Sequence, residues 1–214
     1  MKKSNLVAIA SVLMLIIFVG AAYLYDTQQT KNEQLAQNNN VLIQFHSPKA
    51  GNPNAKVTIV EFMDPACEAC RQFHPFVKEL LKKYKREVNL VIRYTPLHKG
   101  SDDAIKILVA AKKLGNFWDV LDVMYKSQPD WANHHNPNPE MIWKYLEYYK
   151  FDVAALEQNI DETAASRILE LDLADARTLG VDKTPTFFVN GKPLPSFGLE
   201  QLESLIKNEI AIHY

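Results

Sequence analysis

The run Val57-Thr58-Ile59-Val60-Glu61-Phe62 is β-branched and short enough for a buried strand; it breaks at Pro65 and delivers Cys67 and Cys70 to the start of a helix. These are the only cysteines in the sequence. Two thiols separated by two residues can close a small disulfide ring. A helix N-terminus directs partial positive charge and free N–H groups at the first sulfur, which favours its thiolate. Spacing alone leaves three uses open. Redox exchange fits best; a metal site usually draws on four ligands and no second cysteine pair is present to complete one; a structural disulfide is the third.

Beyond Cys70 the apolar positions Phe73, Phe76, Val77, Leu80, Leu81 and Tyr84 fall on one helical face, with Lys78, Lys82, Lys83 and Lys85 on the other. Pro75 removes one hydrogen bond inside this helix, which predicts a kink rather than an end because the period continues through it. Val88 to Tyr94 is the next strand, so the segment is a βαβ unit. From Ser101 to Gly180 the pattern is helical. Ser101-Asp102-Asp103 opens one helix and Gly115 closes it; Asn138-Pro139-Glu140, Asp152 and Asp161 open others. Trp118, Trp131, Trp143, Tyr145, Tyr148 and Tyr149 read as core packing among these helices. Thr186 to Val189 is then a strand, Asn190-Gly191 a tight hairpin turn and Lys192 to Leu194 the return, where Pro193 argues for a sheet edge. Leu199, Leu202, Leu205, Ile206 and Ile210 line a closing helix. The order is βαβ, helical block, ββα.

At the other end, Lys2 and Lys3 precede an uncharged, mostly apolar run from Ser4 to Tyr25. Leu6 to Tyr25 is 20 residues, enough at ~1.5 Å each to span a bilayer core, whereas a cleaved signal core is usually ~7–15 residues long. Residues 1–25 therefore read as a membrane anchor. Val19-Gly20-Ala21 and Gly20-Ala21-Ala22 keep a cleaved signal peptide as the alternative. Either reading exports the remainder to a compartment that permits disulfides. Residues 26–40 form a polar tether, Val41 to Phe45 a first strand, and 41–214 the globular domain, for which a 47% hydrophobic content is ample. A net charge of -1 argues against broad nucleic-acid binding.

A βαβ unit with Cys-x-x-Cys after its first central strand, followed by ββα opening on Thr184-Pro185, resembles the thioredoxin fold, an α/β architecture. The helical block at about 101–180 makes it similar to the DsbA-like branch. Gly51-Asn52-Pro53, the Val57–Phe62 strand, Asp64-Pro65-Ala66-Cys67-Glu68-Ala69-Cys70 and Pro75 carry the likeness, over about residues 45–210. The resemblance implies an exported thiol-disulfide oxidoreductase without cofactor or metal, acting on cysteines of envelope or secreted proteins. Cys67 would be the exposed nucleophile, Cys70 the buried resolving partner, Glu61 a buried acid serving Cys70, and Thr184-Pro185 a cis-proline loop that binds substrate. A membrane partner of the DsbB type would reoxidise the pair.

The dipeptide Glu68-Ala69 departs from the Pro-His of the best-known oxidases. A carboxylate beside the thiolate disfavours its ionisation, so Cys67 is expected to be less acidic than in those enzymes. Oxidase is the favoured activity, with disulfide isomerase or reductase as the alternative. From another class, Cys67 and Cys70 with a histidine, His74 first, could hold copper or zinc in a metal chaperone. His98, His134 and His135 read as surface-loop histidines.

Overall fold

Strand β2 (Val57–Met63) is buried on both faces, and that decides the layering. Successive strand residues point to opposite faces. Val57, Ile59 and Met63 enter the larger of two apolar clusters, and Val60 and Phe62 enter the smaller, so helices must cover both sides. The computed structural model describes Gly20, Tyr23, residues 41–133 and residues 137–214. The expected anchor at 1–25, apart from Gly20 and Tyr23, lies outside them, as do the tether at 26–40 and His134 and His135. No helix among the described residues is long and apolar enough to cross a membrane.

β2 pairs in parallel with β3 (Val88–Tyr94) and antiparallel with β4 (Thr186–Val189); β1 (Lys49–Gly51) and β5 (Lys192–Pro193) complete the order β1-β3-β2-β4-β5. Gly51 is required where it stands: φ is +86° and an added Cβ would come within 2.7 Å of the Val88 carbonyl oxygen. Asn190 and Gly191 both take positive φ, as the two-residue hairpin needs, and Pro193 lies on the edge strand. The parallel β2–β3 pair is joined by α1 (Glu68–Lys83), which runs through Pro75 and buries Cys70, Phe73, Val77 and Leu80.

The helical block comprises α2 (Ser101–Lys113), α3 (Phe117–Trp131), α4 (Met141–Tyr148), α5 (Val153–Gln158) and α6 (Glu162–Thr178). Asp152 and Asp161 cap α5 and α6, each carboxylate accepting the N–H three residues on, from Ala155 and Ala164. Trp131 is fully buried, whereas Tyr148 is largely exposed. The chain closes with α7 (Leu199–His213). The two halves thus form a thioredoxin-like α/β fold with a helical insertion.

The expected first strand at Val41–Phe45 is not formed. Val41 and Leu42 are helical, and the first strand is β1. Arg93 is the reason: its guanidinium, fully buried under the smaller cluster, donates to the Val41 and Leu42 carbonyls and pairs with Asp172 and Asp175 of α6. These carbonyls are satisfied by a side chain instead of a strand ladder. His46 bonds the same Asp172 at 2.6 Å, fastening the segment a second time.

Candidate active site

Asp64 builds the turn that ends β2. It is fully buried, and its Oδ1 accepts the Ala66 N–H at 2.8 Å while its main-chain carbonyl accepts the Cys67 N–H at 3.1 Å. Its other contacts reach across the fold: Ser101 Oγ donates to Oδ1, and Oδ2 accepts the Leu97 and His98 N–H groups and bonds His98 Nδ1 at 2.7 Å. His98 is therefore tied into the site loop and is no simple surface histidine. The turn leaves Cys67 at the N-cap of α1 with extended backbone, followed by Glu68 in the first helical turn.

From the insertion, Gln128 of α3 closes the other side. Its amide donates to the carbonyls of Pro65 (2.7 Å) and Cys67 (3.0 Å), and its oxygen accepts from Arg71 Nε (2.8 Å). The loop before β4 covers the sulfur: the Thr184–Pro185 bond is cis, and Cys67 Sγ lies 3.3 Å from the Thr184 carbonyl oxygen. Cys67 keeps only 6% of its surface and Cys70 none, so the nucleophile expected to be exposed is instead nearly covered, because this loop packs on it.

The two thiols are driven apart electrostatically. Hydrogen bonding from Cys70 is the largest influence on Cys67; together with Thr184 and the N–H groups of Cys70 and Ala69 it overcomes burial and brings the Cys67 thiol down to about 5. The Thr184 hydroxyl is buried with no hydrogen-bond partner among the described residues, which leaves it to serve the thiolate. Burial first, then the Cys67 contact and the charge of Glu61, push Cys70 well above the ordinary thiol range. Glu68 is exposed and Ala69 half-buried. The expected opposition from Glu68 does not prevent a strongly lowered thiol, since several hydrogen bonds are made to the sulfur itself.

Glu61 lies on the α1 side of β2, between Ile59 and Met63, with Ile92 of β3 and Phe187 of β4 as its cross-strand neighbours. Burial and the charge of Cys67 push its carboxyl up to about 8. The structure thus brings Glu61, Cys67, Cys70 and Thr184-Pro185 together. His74 is not presented as a third ligand; it bonds Asp122 of α3 at 2.6 Å. Among the described residues no group of three or more His, Cys, Asp or Glu side chains is arranged to hold a metal ion.

Asp64, Gln128 and Arg71 were not foreseen as site residues. Asp64-Pro65 carries a local signal, since aspartate before proline starts turns by accepting an N–H two residues on. Gln128 has none, because its partners lie about sixty residues away.

The lowered Cys67 thiol carries a pH signature. Unfolded cysteine holds its proton to roughly pH 8.5, whereas folded Cys67 releases it near 5, so the unfolded dithiol binds more protons between these limits. That contribution stabilises the reduced protein above this range and is lost as pH falls through about 5. Glu61 acts in the opposite sense, because its folded value is raised: its contribution is present at low pH and is lost as pH rises through about 8. The Cys67 and Cys70 thiols both exist only in the reduced form, and Cys70, whose folded value is raised, costs that form stability only above roughly pH 8.5. Urea unfolding of both redox forms should show the reduced-minus-oxidised stability rising with pH from about 5 to roughly 8.5; a flat difference over that span would refute the lowered thiol.

A dithiol pair at a helix start, with a cis-proline loop packed on its first sulfur at one end of a mixed sheet, is the arrangement of the thiol-disulfide oxidoreductases with a thioredoxin fold. The thioredoxin family profile matches residues 45–208, and the chain belongs to that family. Among solved structures it is similar to oxidised BdbD from Bacillus subtilis, at 25% identity over 78% of this chain and 94% of that one, with a TM-score of 0.67. The α-DsbA1 of Wolbachia pipientis shares the fold, at 18% identity over 82% of this chain and 96% of that one, with a TM-score of 0.71. A sequence relative is the Na(+)/H(+) antiporter NhaA 3 of Salinispora tropica, 34% identical over 66% of this chain and 21% of that protein. The chain spans about a fifth of the length of the curated relatives it matches.

Proposed function

We propose that the chain is an exported thiol-disulfide oxidase of envelope or secreted proteins, held at the membrane by residues 1–25 through the tether at 26–40. The observation that carries the reading is the contrast between the two thiols: Cys67 is ionised at neutral pH, and Cys70 is buried and protonated. A substrate thiolate attacks Cys67 Sγ, the Cys67–Cys70 bond breaks and Cys70 takes up a proton, for which Glu61 is the source. A second substrate thiolate then attacks the substrate sulfur of the mixed disulfide and expels Cys67. A low-pKa thiolate leaves readily and stabilises the reduced enzyme, which is the energetic basis of an oxidant.

Thr184 and Pro185 present backbone to an extended substrate segment. Beside them Pro185, Phe187, Leu194 and the exposed Phe197 line a cleft of about 170 Å³ suited to an apolar substrate side chain. A larger cleft of about 490 Å³ lies at the β1 edge, lined by Ile43, Pro53, Thr58 and Val91, and includes neither cysteine. Reoxidation falls to a membrane partner of the DsbB type.

Glu68 and Ala69 tune the pair. The reduction potential is expected between roughly -270 and -120 mV, the span from thioredoxin to the strongest oxidase. Glutathione-buffer titration tests this, and a value at either extreme would count against it. Glu68→His replaces a like charge beside the thiolate and should move the potential toward the oxidising end.

A further inference from the structure

Gln128 is only 1% exposed, and both polar atoms of its side chain are engaged at the reactive turn. Nε2 donates to the Pro65 carbonyl at 2.7 Å and to the Cys67 carbonyl at 3.0 Å, and Oε1 accepts from Arg71 Nε at 2.8 Å. The Arg71 main-chain N–H donates to the same Cys67 carbonyl at 3.1 Å. Cys67, Gln128 and Arg71 thus close a ring of hydrogen bonds over the first turn of α1. A primary amide fits this place because it carries two N–H donors and an acceptor on one planar group. The bond from the guanidinium is charge-assisted, and bonds in a chain polarise one another, so Arg71 strengthens the two bonds that Gln128 makes to the turn. Gln128 is itself fastened within the last turns of α3. Trp131 is fully buried with its indole N–H donating to the Met124 carbonyl at 2.9 Å, and Ser127 Oγ donates to the Val123 carbonyl at 2.8 Å.

We infer that Gln128, gripped by Arg71, is the positioning residue for thiol exchange, by which the helical insertion holds the Pro65–Cys67 backbone in its reactive geometry. The inference rests on the reading of Cys67 as the exchanging thiol and adds what keeps that thiol in place. Cys67 caps α1 with extended backbone, and the Ala69 and Cys70 N–H groups serve its sulfur only while the turn stays so. Held by two donors, the Cys67 carbonyl oxygen cannot swing toward its own sulfur, where its partial negative charge would oppose the thiolate. The same restraint acts on the oxidised pair. A substrate thiolate bonds to Cys67 Sγ, the Cys67–Cys70 bond breaks, and its electron pair leaves on Cys70, which takes up a proton; the substrate sulfur is oxidised and the enzyme disulfide reduced. Gln128 and Arg71 exchange neither proton nor electron. Their share is alignment, and a displacement of about 1 Å at the reacting atom can cost on the order of 10²-fold in rate.

Two measurements on the full-length protein test the clamp: iodoacetamide alkylation of the reduced form across pH, with the labelled cysteine identified by mass spectrometry, and the rate at which a small dithiol reduces the oxidised form. Gln128→Met keeps the length of the side chain without its polar atoms. The Cys67 titration should rise by about one pH unit and the reduction rate should fall by about tenfold or more. Gln128→Glu keeps an acceptor for Arg71 but loses the amide donors, and should move both readouts in the same sense. Arg71→Met leaves the Pro65 and Cys67 carbonyls bonded to Gln128 and should give a smaller rise. A lowered urea midpoint beside a wild-type titration and rate in the Gln128 variants would overturn the inference, because Gln128 would then serve stability alone. If Gln128→Met does not fold, Arg71→Met decides at a half-buried position, and an unmoved titration there refutes the clamp. Wild-type label found on Cys70 would remove the reading of Cys67 itself, whereas label on Cys67 titrating near 5 in every variant would remove the clamp alone.

Discussion

Cys70→Ala protein produced in its own cell envelope should accumulate mixed disulfides with other proteins, all joined through Cys67. With the buried resolving thiol removed, nothing within the enzyme can attack the mixed disulfide from its oriented position. Intramolecular attack by a well-placed group is worth effective molarities far above any free thiol, so adducts with substrates that hold no second thiol in reach should live longer by on the order of 10³-fold or more. The variant also loses the largest influence that lowers Cys67, the hydrogen bond from Cys70, so adduct formation will be slower than in wild type. Thr184 and the helix-start N–H groups remain to hold the thiolate. Bands on non-reducing gels should vanish with reductant and be absent from Cys67→Ser. Adducts that never form would remove the main support for exchange chemistry, and wild-type Cys67 and Cys70 found reduced in cells would redirect the reading from oxidase to isomerase or reductase.

Asp64→Ala should be the most damaging substitution outside the cysteines. The carboxylate accepts from Ala66, Leu97, His98 and Ser101 in a region where Asp64 and Ser101 have no exposure. Each buried donor left without an acceptor costs about 1–3 kcal/mol, so a loss of about 3–5 kcal/mol is expected after partial relaxation. The damage should reach chemistry as well as stability, because the same carboxylate sets the turn that places Cys67 at the helix start. Urea unfolding would report the first effect, and the Cys67 thiolate titration the second. Asp64→Asn, which keeps an acceptor for part of this network, should lose less in both; an alanine variant within about 1 kcal/mol of wild type would show that the network carries little weight.

Local chemistry accounts for what could be read in advance. The Val57–Phe62 strand and the helix after Cys70 announce themselves by period, Asp152 and Asp161 by capping, and Asn190-Gly191 by a turn that needs positive φ. Val41–Phe45 misled for the complementary reason. A short apolar run carries strand propensity, but its backbone partner is Arg93, whose buried charge is balanced by Asp172 and Asp175 from α6. No local pattern encodes that pairing.

By itself, the sequence determined that two thiols sit at a helix start after a buried strand and that a Thr-Pro pair precedes the β-hairpin of the second half, because period, turn and spacing act over a few residues. It could not say which face of β2 receives Glu61, since alternation has no preferred sign until helices cover the sheet. Tertiary structure decided that Glu61 lies buried beneath α1, that Thr184 covers Cys67, and that α3 lays Gln128 against the site. Those placements remove water from the thiols and the carboxyl, and desolvation with a few fixed hydrogen bonds separates Cys67, near 5, from Glu61, near 8.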